Sequence, residues 1–458
     1  MTPGLALNFE GTGVVNENTE QTSQSFILTG NDSDGVATVS FTGNALAGNF
    51  GFYQLRSALL AFSGNASADG ATIDAQHAGT VTFAGESTAG RAYLNLFPQS
   101  LPNASAATAL FSENAGAGQA TVSALGASKA GSAAASVTFQ DNASAMTAFV
   151  LAQPGVGAGR AGGQVSFRDS ATADQAFIVG SAGQNREEGG SIFFYDNSSG
   201  GTAYVFLDGN ATFDISGHGL PGISVGALSG AGRIFLGANN LTTGQSGFYD
   251  TLTGSISDGG VASGSGGSLT KVGFGQLTLS GANTYTGGTI VTSGILNVSN
   301  VAASATGSGP VQVQRGSLLS GTGAILGPVT LSGTNRIQSG IEPGTSDTVA
   351  QLTIGSQLSF RRAAYYCTLD RDTVTSDVVQ ARGIDIRSGS FILDTTGSFP
   401  LPVGAVFTVL NNISAKPIRG TFDSLPEGSV IQLFSPSNNL VVSYVGGDGN
   451  DMTLTVVP

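Results

Sequence analysis

Seven short segments of the chain share one alternation of apolar and polar positions. They are "VSFTGNALAG" from 39, "LAFSGNASAD" from 60, "VTFAGESTAG" from 81, "ALFSENAGAG" from 109, "VTFQDNASAM" from 137, "VSFRDSATAD" from 165 and "IFFYDNSSGG" from 192. The aromatic falls at Phe41, Phe62, Phe83, Phe111, Phe139, Phe167 and Phe194, at intervals of 21, 21, 28, 28, 28 and 27 residues. Two residues before each Phe stands an apolar residue, which is the period of a strand with one face inward. Nine residues after it six copies carry Ala, and two further on every copy is apolar, from Phe52 to Val205. That spacing predicts a second inward strand in each repeat. Asn follows the Phe by three residues in five copies (Asn44, Asn65, Asn114, Asn142 and Asn197). Asn tolerates left-handed backbone and can bond nearby main chain, so it suits a corner between strands.

A period of this length in a β-prone chain belongs to a solenoid. A helix is excluded, because apolar residues recur at every second position and Gly and Asn interrupt each run. The prediction is an all-β parallel β-helix, a single-stranded solenoid with one coil per repeat and the Phe residues stacked in an internal column. At ~4.8 Å per coil, the intervals from Phe41 to Phe194 would rise about 29 Å. The jump from 21 to 28 residues is read as an outward loop at one corner. The inserts "FPQSLPN" (97–103) and "AQPGVGAGR" (152–160) are then the positions for binding residues.

Composition sharpens this picture. Gly is 69 of 458 residues, Trp is absent, 10% of residues are charged and 40% are hydrophobic, enough for a core. The formal net charge is −13, with 17 Lys and Arg, so no basic footprint for nucleic acid or anionic lipid is expected. One cysteine, Cys367, precludes an internal disulfide. It lies in "AAYYCTLD", which reads as a strand with a buried thiol. No apolar run is long enough for a transmembrane helix. The start, "MTPGLALNFEG", has neither the basic nor the apolar region of an export signal.

Further on stands "LTKVGFGQLTLSGANTYTGGTIVTSGILNVSN", Leu269 to Asn300. It resembles the autotransporter-associated β-strand repeat of bacterial autotransporter passengers, through Leu269-Thr270-Lys271, Gly273, Gly275, Leu277 to Gly281, Asn283, Tyr285, Gly287-Gly288-Thr289, Gly294 and Leu296. The stretches "VGALSGAGRIFLGANNLTTG" (225–244), "RGTFDSLPEGS" (419–429) and "VVSYVGGDGNDMTLTV" (441–456) resemble neighbouring parts of such passengers. The resemblance implies a right-handed parallel β-helix displayed outside a bacterial cell, serving as stalk, adhesin or scaffold. It also implies a membrane β-barrel at the C-terminus, and nothing after Asn450 is expected to supply one. The reading is therefore a truncated passenger or a barrel-less relative.

Two stretches could suggest chemistry. "SGHGLPGISVGALSG", from Ser216, resembles the His loop of polygalacturonases and offers His218. Glycoside hydrolysis of that kind needs at least two partnering carboxylates. The chain has no Asn-Thr-Asp and no Asp-Asp pair, and Phe235 stands where a Lys is wanted. "GGDGNDMTL", Gly446 to Leu454, overlaps a calcium-binding nonapeptide. It is a single copy with Thr453 at the large apolar position, so a hairpin turn is the better reading. "NREEGG" (185–190) reads as an exposed loop tip. Arg361 and Arg362 beside Tyr365 and Tyr366 could stack on a sugar, against the plainer reading of a solvated strand face.

These readings assign residues 1–38 to an N-terminal strand or cap, 39–345 to the parallel β-helix, and 346–458 to a β-rich C-terminal cap. The expected function is a non-enzymatic extracellular or cell-surface scaffold or adhesin. The alternatives are a filament or surface-layer subunit joined end to end by strand addition, and a polysaccharide-degrading β-helix enzyme. No catalytic, cofactor-binding or metal-binding residue is assigned. The partners expected are a second copy, end to end, or a surface glycan or other cell-surface partner, with no nucleic acid.

Overall fold

The computed structural model describes residues 5–14, 24–30, 36–99, 105–184, 186–334, 336–345, 347–434 and 437–458. The chain divides into two compact units, Met1–Leu241 with Gly259–Gly264, and Thr242–Asp258 with Ser265–Pro458. Both are built from strands. Among the described residues no helix is long and apolar enough to cross a membrane.

In the first unit each repeat makes one coil with three faces. One face is a parallel sheet of the Phe-bearing strands, in which Phe41 pairs with Phe62, Phe62 with Phe83, Phe83 with Phe111, and so on to Phe194. The second face is the parallel sheet of strands such as Thr72–Gln76, Tyr93–Leu96, Thr121–Ala124 and Phe149–Ala152, with Ile73, Leu94, Val122 and Val150 in one column. The third is a ladder of single bridges, Leu46 to Ser67 to Thr88 to Gly116 to Ser144. The fold is a parallel β-helix.

The Phe column is a continuous stack. Ring centroids from Phe41 to Phe194 lie 4.6–5.1 Å apart with interplanar angles of 5–11°. All of these rings are buried. Small residues make room for them: Ala66 and Ala68, Ala115 and Ala117, and Ala143 and Ala145 face inward at the adjoining corner.

The column begins earlier than the sequence pattern suggests. Phe9 stacks on Phe41 at 4.8 Å, and Phe26 stacks on Tyr53 at 4.8 Å. The strands Ala6–Phe9 and Gln24–Thr29 therefore pair in register with the next coil, within the segment read from the sequence as an N-terminal strand or cap. Residues 1–4, 15–23 and 31–35 of that expected cap lie outside the described residues. The repeat eluded the eye because its two strands carry single aromatics without the following Asn.

The corner also differs from expectation. The left-handed residue is the one before the Asn: Gly43, Gly64, Gly85, Glu113, Asp141, Asp169 and Asp196 all have φ between 53° and 69°. Each carboxylate there reaches back one coil. Glu113 accepts from Gly85 N at 2.7 Å, Asp141 from Glu113 N at 3.0 Å, and Asp169 from Asp141 N at 3.3 Å. The Asn side chains bond one another up the stack instead, Asn65 to Asn44 at 3.2 Å and Asn142 to Asn114 at 3.4 Å.

The second unit is also built of parallel stacked strands, among them Gln276–Leu279, Gly294–Val298 and Ser317–Gly321. Two long strands follow, Leu358–Asp370 and Ile384–Thr396, paired in parallel along their length. The unit ends in antiparallel strands, Val406–Asn412, Ser437–Gly446 and Asp451–Val457, in a seven-stranded sheet among the described residues.

Candidate functional site

The step from 21- to 28-residue coils builds a groove on the second sheet of the first unit. Its volume is 730 Å³. The coil that ends at Gln76 and His77 turns tightly, whereas later coils extend outward after Leu96, Ala124 and Ala152. The inserts stack into a ledge that overhangs the outer face of the shorter coil. The groove's polar lining residues are Gln76, His77, Asn95, Ser123, Ser128 and Gln153. Phe97, Leu125 and Val156 supply apolar surface, and Val156 is 60% exposed. The lining residues Gln76, Phe97, Leu125 and Gln153 come from successive coils, so the groove runs across the strands for about 14 Å. A groove with mostly apolar walls and a few convergent polar groups is the usual form of a binding site.

Both predicted inserts contribute. Phe97 and Pro98 come from the first, whose residues 100–103 lie outside the described residues, and Gln153, Pro154 and Val156 from the second. The ledge is held by main chain and two side chains. Ala127 N donates to Ala161 O at 2.7 Å and Gly155 N to Glu188 O at 3.0 Å. The Arg160 guanidinium donates to Ser128 O and Val156 O, tying one insert to the next. Glu187, from the charged cluster read as a loop tip, accepts from Gly157 N at 2.7 Å and Gln184 N at 2.8 Å. Asn185 of that cluster lies outside the described residues. At Gly126 a Cβ would stand 2.1 Å from Pro154 O, so the inserts approach too closely for any side chain there.

Sequence reasoning missed the floor and the surface beside it. Ten residues after each ladder Phe, between two inward columns, an outward residue stands on the second sheet: Tyr93, Thr121, Phe149, Phe177 and Tyr204. Phe149 stacks on Phe177 at 5.3 Å and Phe177 on Tyr204 at 5.1 Å. Tyr93 is 56% exposed. Aromatics at a position whose alternation points outward were the available signal.

The residues that suggested chemistry have structural partners. His218 Nδ1 lies 2.6 Å from Gly219 O and Nε2 2.6 Å from Ser198 O, so the ring fastens its corner to the coil before. Each ring nitrogen faces a carbonyl oxygen, and the neutral ring donates to one of the two. "GGDGNDMTL" closes an antiparallel hairpin, with Gly446 paired to Asp451. Asp451 is mostly buried and accepts from Asn412 N at 2.8 Å. Cys367 is buried, and burial with the neighbouring Asp377 pushes its thiol well up. Tyr365 is also buried and donates to Val409 O at 2.8 Å, so it cannot stack on a sugar, while Tyr366 lines a cleft other than that of Arg361 and Arg362.

The polar residues of the segment from Leu269 serve the interior. Lys271 is buried and its Nζ donates to Val272 O at 2.7 Å, Gly273 O at 2.8 Å and Ser293 O at 3.2 Å. Burial lowers its pKa to about 8, with Asp250 acting in the opposite sense. Asn283 joins three coils, accepting from Ile256 N at 2.7 Å and donating to Ala305 O at 2.5 Å. Tyr285, wholly buried, meets Thr289 Oγ1 at 2.5 Å. These side chains satisfy main-chain groups that strand pairing leaves open at the corners.

Residues 269–298 match the family described as Passenger-associated-transport-repeat. Over 115 residues, 24% of this chain, the sequence is 38% identical to the Adhesin BmaC autotransporter of Brucella suis biovar 1 (strain 1330). The matched stretch is 3% of that relative's length. The crystal structure of the Haemophilus influenzae Hap adhesin is similar at 11% identity and a TM-score of 0.27, over 99% of this chain and 64% of that one. No site residue is carried over from either. The repeat match covers Lys271, Asn283 and Tyr285, the interior staples, and lies apart in sequence from the groove.

Proposed function

We propose that this β-helix, which carries one passenger-associated transport repeat, is a surface-displayed adhesin segment without catalytic activity. Its adhesive face is the groove at the step in coil length. The observation that carries this reading is the groove itself, which Gln76 and Gln153 line beside Phe97. His218 and Asp451, by contrast, are engaged in holding main chain. The repeat match and the similarity to an autotransporter adhesin support display outside a bacterial cell. A non-enzymatic role accords with a groove whose lining holds amides, hydroxyls, apolar groups and a single imidazole, His77, with no carboxylate among the lining residues to pair with it.

Beads coated with the chain, applied to epithelial cell monolayers, test the reading. Adherence by the parent and its loss in Gln76→Ala/Gln153→Ala, with unchanged unfolding midpoint, are expected. Equal adherence by both proteins would refute the assignment of the groove. Turnover of a polysaccharide that one substitution abolishes would refute the absence of catalysis.

A further inference from the structure

We infer that a paired bulge in the C-terminal unit, bearing Arg361, Arg362 and Arg387, is a binding site for a sulfate or phosphate ester group. The two long strands fall out of register at one place. Phe360 pairs with Ile386, Arg361 with Ser388 and Ala363 with Gly389. Arg387 is thus the extra residue of one strand and Arg362 the extra residue of the other. A bulge re-aims side chains that alternation would separate. Arg361 and Arg362, though consecutive, are both exposed, and Arg362 takes a left-handed φ of 57° that side chains with a Cβ disfavour. Non-glycine residues held in such backbone concentrate at functional sites.

The three arginines line one cleft of 400 Å³, whose other lining residues are Ser332, Gly333 and Ser388. One charge is met: Arg387 Nε lies 3.0 Å from Asp385 Oδ2. Asp423 nearby is already held by Ser388 Oγ at 2.9 Å and Gly389 N at 3.1 Å, and does not line the cleft. Arg361 and Arg362 have no side-chain partner among the described residues, so two positive charges stand together unneutralised in a chain of net charge −13. Seven of its 17 lysines and arginines fall between 361 and 419, a concentration that the overall acidity conceals. Guanidinium forks match the oxygens of phosphate and sulfate, and two uncompensated charges suit an anion of high charge with three oxygens to share. A carboxylate offers only two.

The chain of residues 1–458 is titrated with sodium sulfate, dextran sulfate, uncharged dextran and phosphatidylglycerol vesicles, beside Arg361→Gln/Arg387→Gln and Arg362→Gly. The glycine variant removes a charge and relieves the left-handed backbone, so it should fold at least as well as the parent. The parent should bind dextran sulfate in a salt-sensitive way, with affinity falling about tenfold for each arginine lost. Sulfate should raise the unfolding temperature of the parent and not of the variants, and uncharged dextran should not bind. Binding of dextran sulfate without the vesicles places the ester on a polysaccharide; binding of the vesicles alone places it on a lipid; both keep the site. Equal affinity of parent and variants would overturn it. So would an equal loss in Lys416→Gln/Arg419→Gln, which would mean diffuse charge and no built site.

Discussion

Replacing Phe139 by Ala should remove one interior rung of the Phe column. The ring is buried and stacks on Phe111 at 4.6 Å and on Phe167 at 4.8 Å. Truncating a buried Phe costs about 3–5 kcal/mol, including the void left behind. Each ring–ring contact contributes about 0.5–1.5 kcal/mol beyond burial. Neighbouring coils are pinned by main-chain pairing on both sides, so the void cannot collapse, and the loss should sit near the top of that range, about 4–5 kcal/mol. Phe177→Ala is the control. That ring also stacks on two neighbours, but it faces outward and is 38% exposed, so about 1–2 kcal/mol is expected. Urea unfolding followed by far-ultraviolet circular dichroism gives both values from the shift in midpoint at constant slope. Equal costs for the two variants would refute the idea that the inward column holds the coils together.

Other consequences follow from the corners and the buried polar groups. Met146 has a φ of 51°; the same corner position holds Gly118 at 65° on the coil before and Asp174 at 50° on the coil after. Met146→Gly relieves about 1–2 kcal/mol of left-handed strain against about 0.5–1 kcal/mol of chain entropy, and should raise the urea midpoint slightly. Lys271→Met keeps the stem but withdraws the donor from three carbonyls, which should cost about 3 kcal/mol in the same assay. Burial raises the Asp377 carboxyl to about 6, although Thr368 N and Ala350 N, each at 2.7 Å, favour its ionised form. Because the folded value lies above the unfolded one, this group's stabilisation is complete below about pH 4 and is lost as pH rises through about 6. The unfolding temperature should carry that falling component between pH 4 and 6, and Asp377→Asn should flatten it.

Much of the first unit could be read from the chain because its determinants are local and repeated. The Phe column, the apolar residues two before it and the second inward strand are fixed by alternation, and each coil restates them. What escaped depends on contacts one coil away. Nothing local distinguishes Asp141 from Asn142 as the left-handed residue; the carboxylate is placed by the N–H of Glu113, 28 residues earlier. The inserts were visible as changes in spacing, but the groove needed the step between Gln76 and Phe97 on adjacent coils. Tyr365 looked like a partner for Arg361 because both are near in sequence. The bulge at Arg362 shifts the alternation and turns that ring inward. The arginine site itself arises from a slip between two strands, which no single segment records.

Excising one whole coil tests the stacked-coil account most directly. Deleting residues 140–167 joins Phe139 to Arg168 and preserves the phase of every column, since Phe139 and Phe167 are 28 residues apart and occupy the same place on successive coils. The shortened chain should unfold cooperatively with a β-rich spectrum like the parent's. Deleting only residues 140–153 would remove the corner and the second-face strand Phe149–Ala152 while leaving the rest of the coil, and should abolish cooperative unfolding. A shortened chain that fails when a full coil is removed, or tolerates half a coil equally well, would contradict the stacking of these repeats.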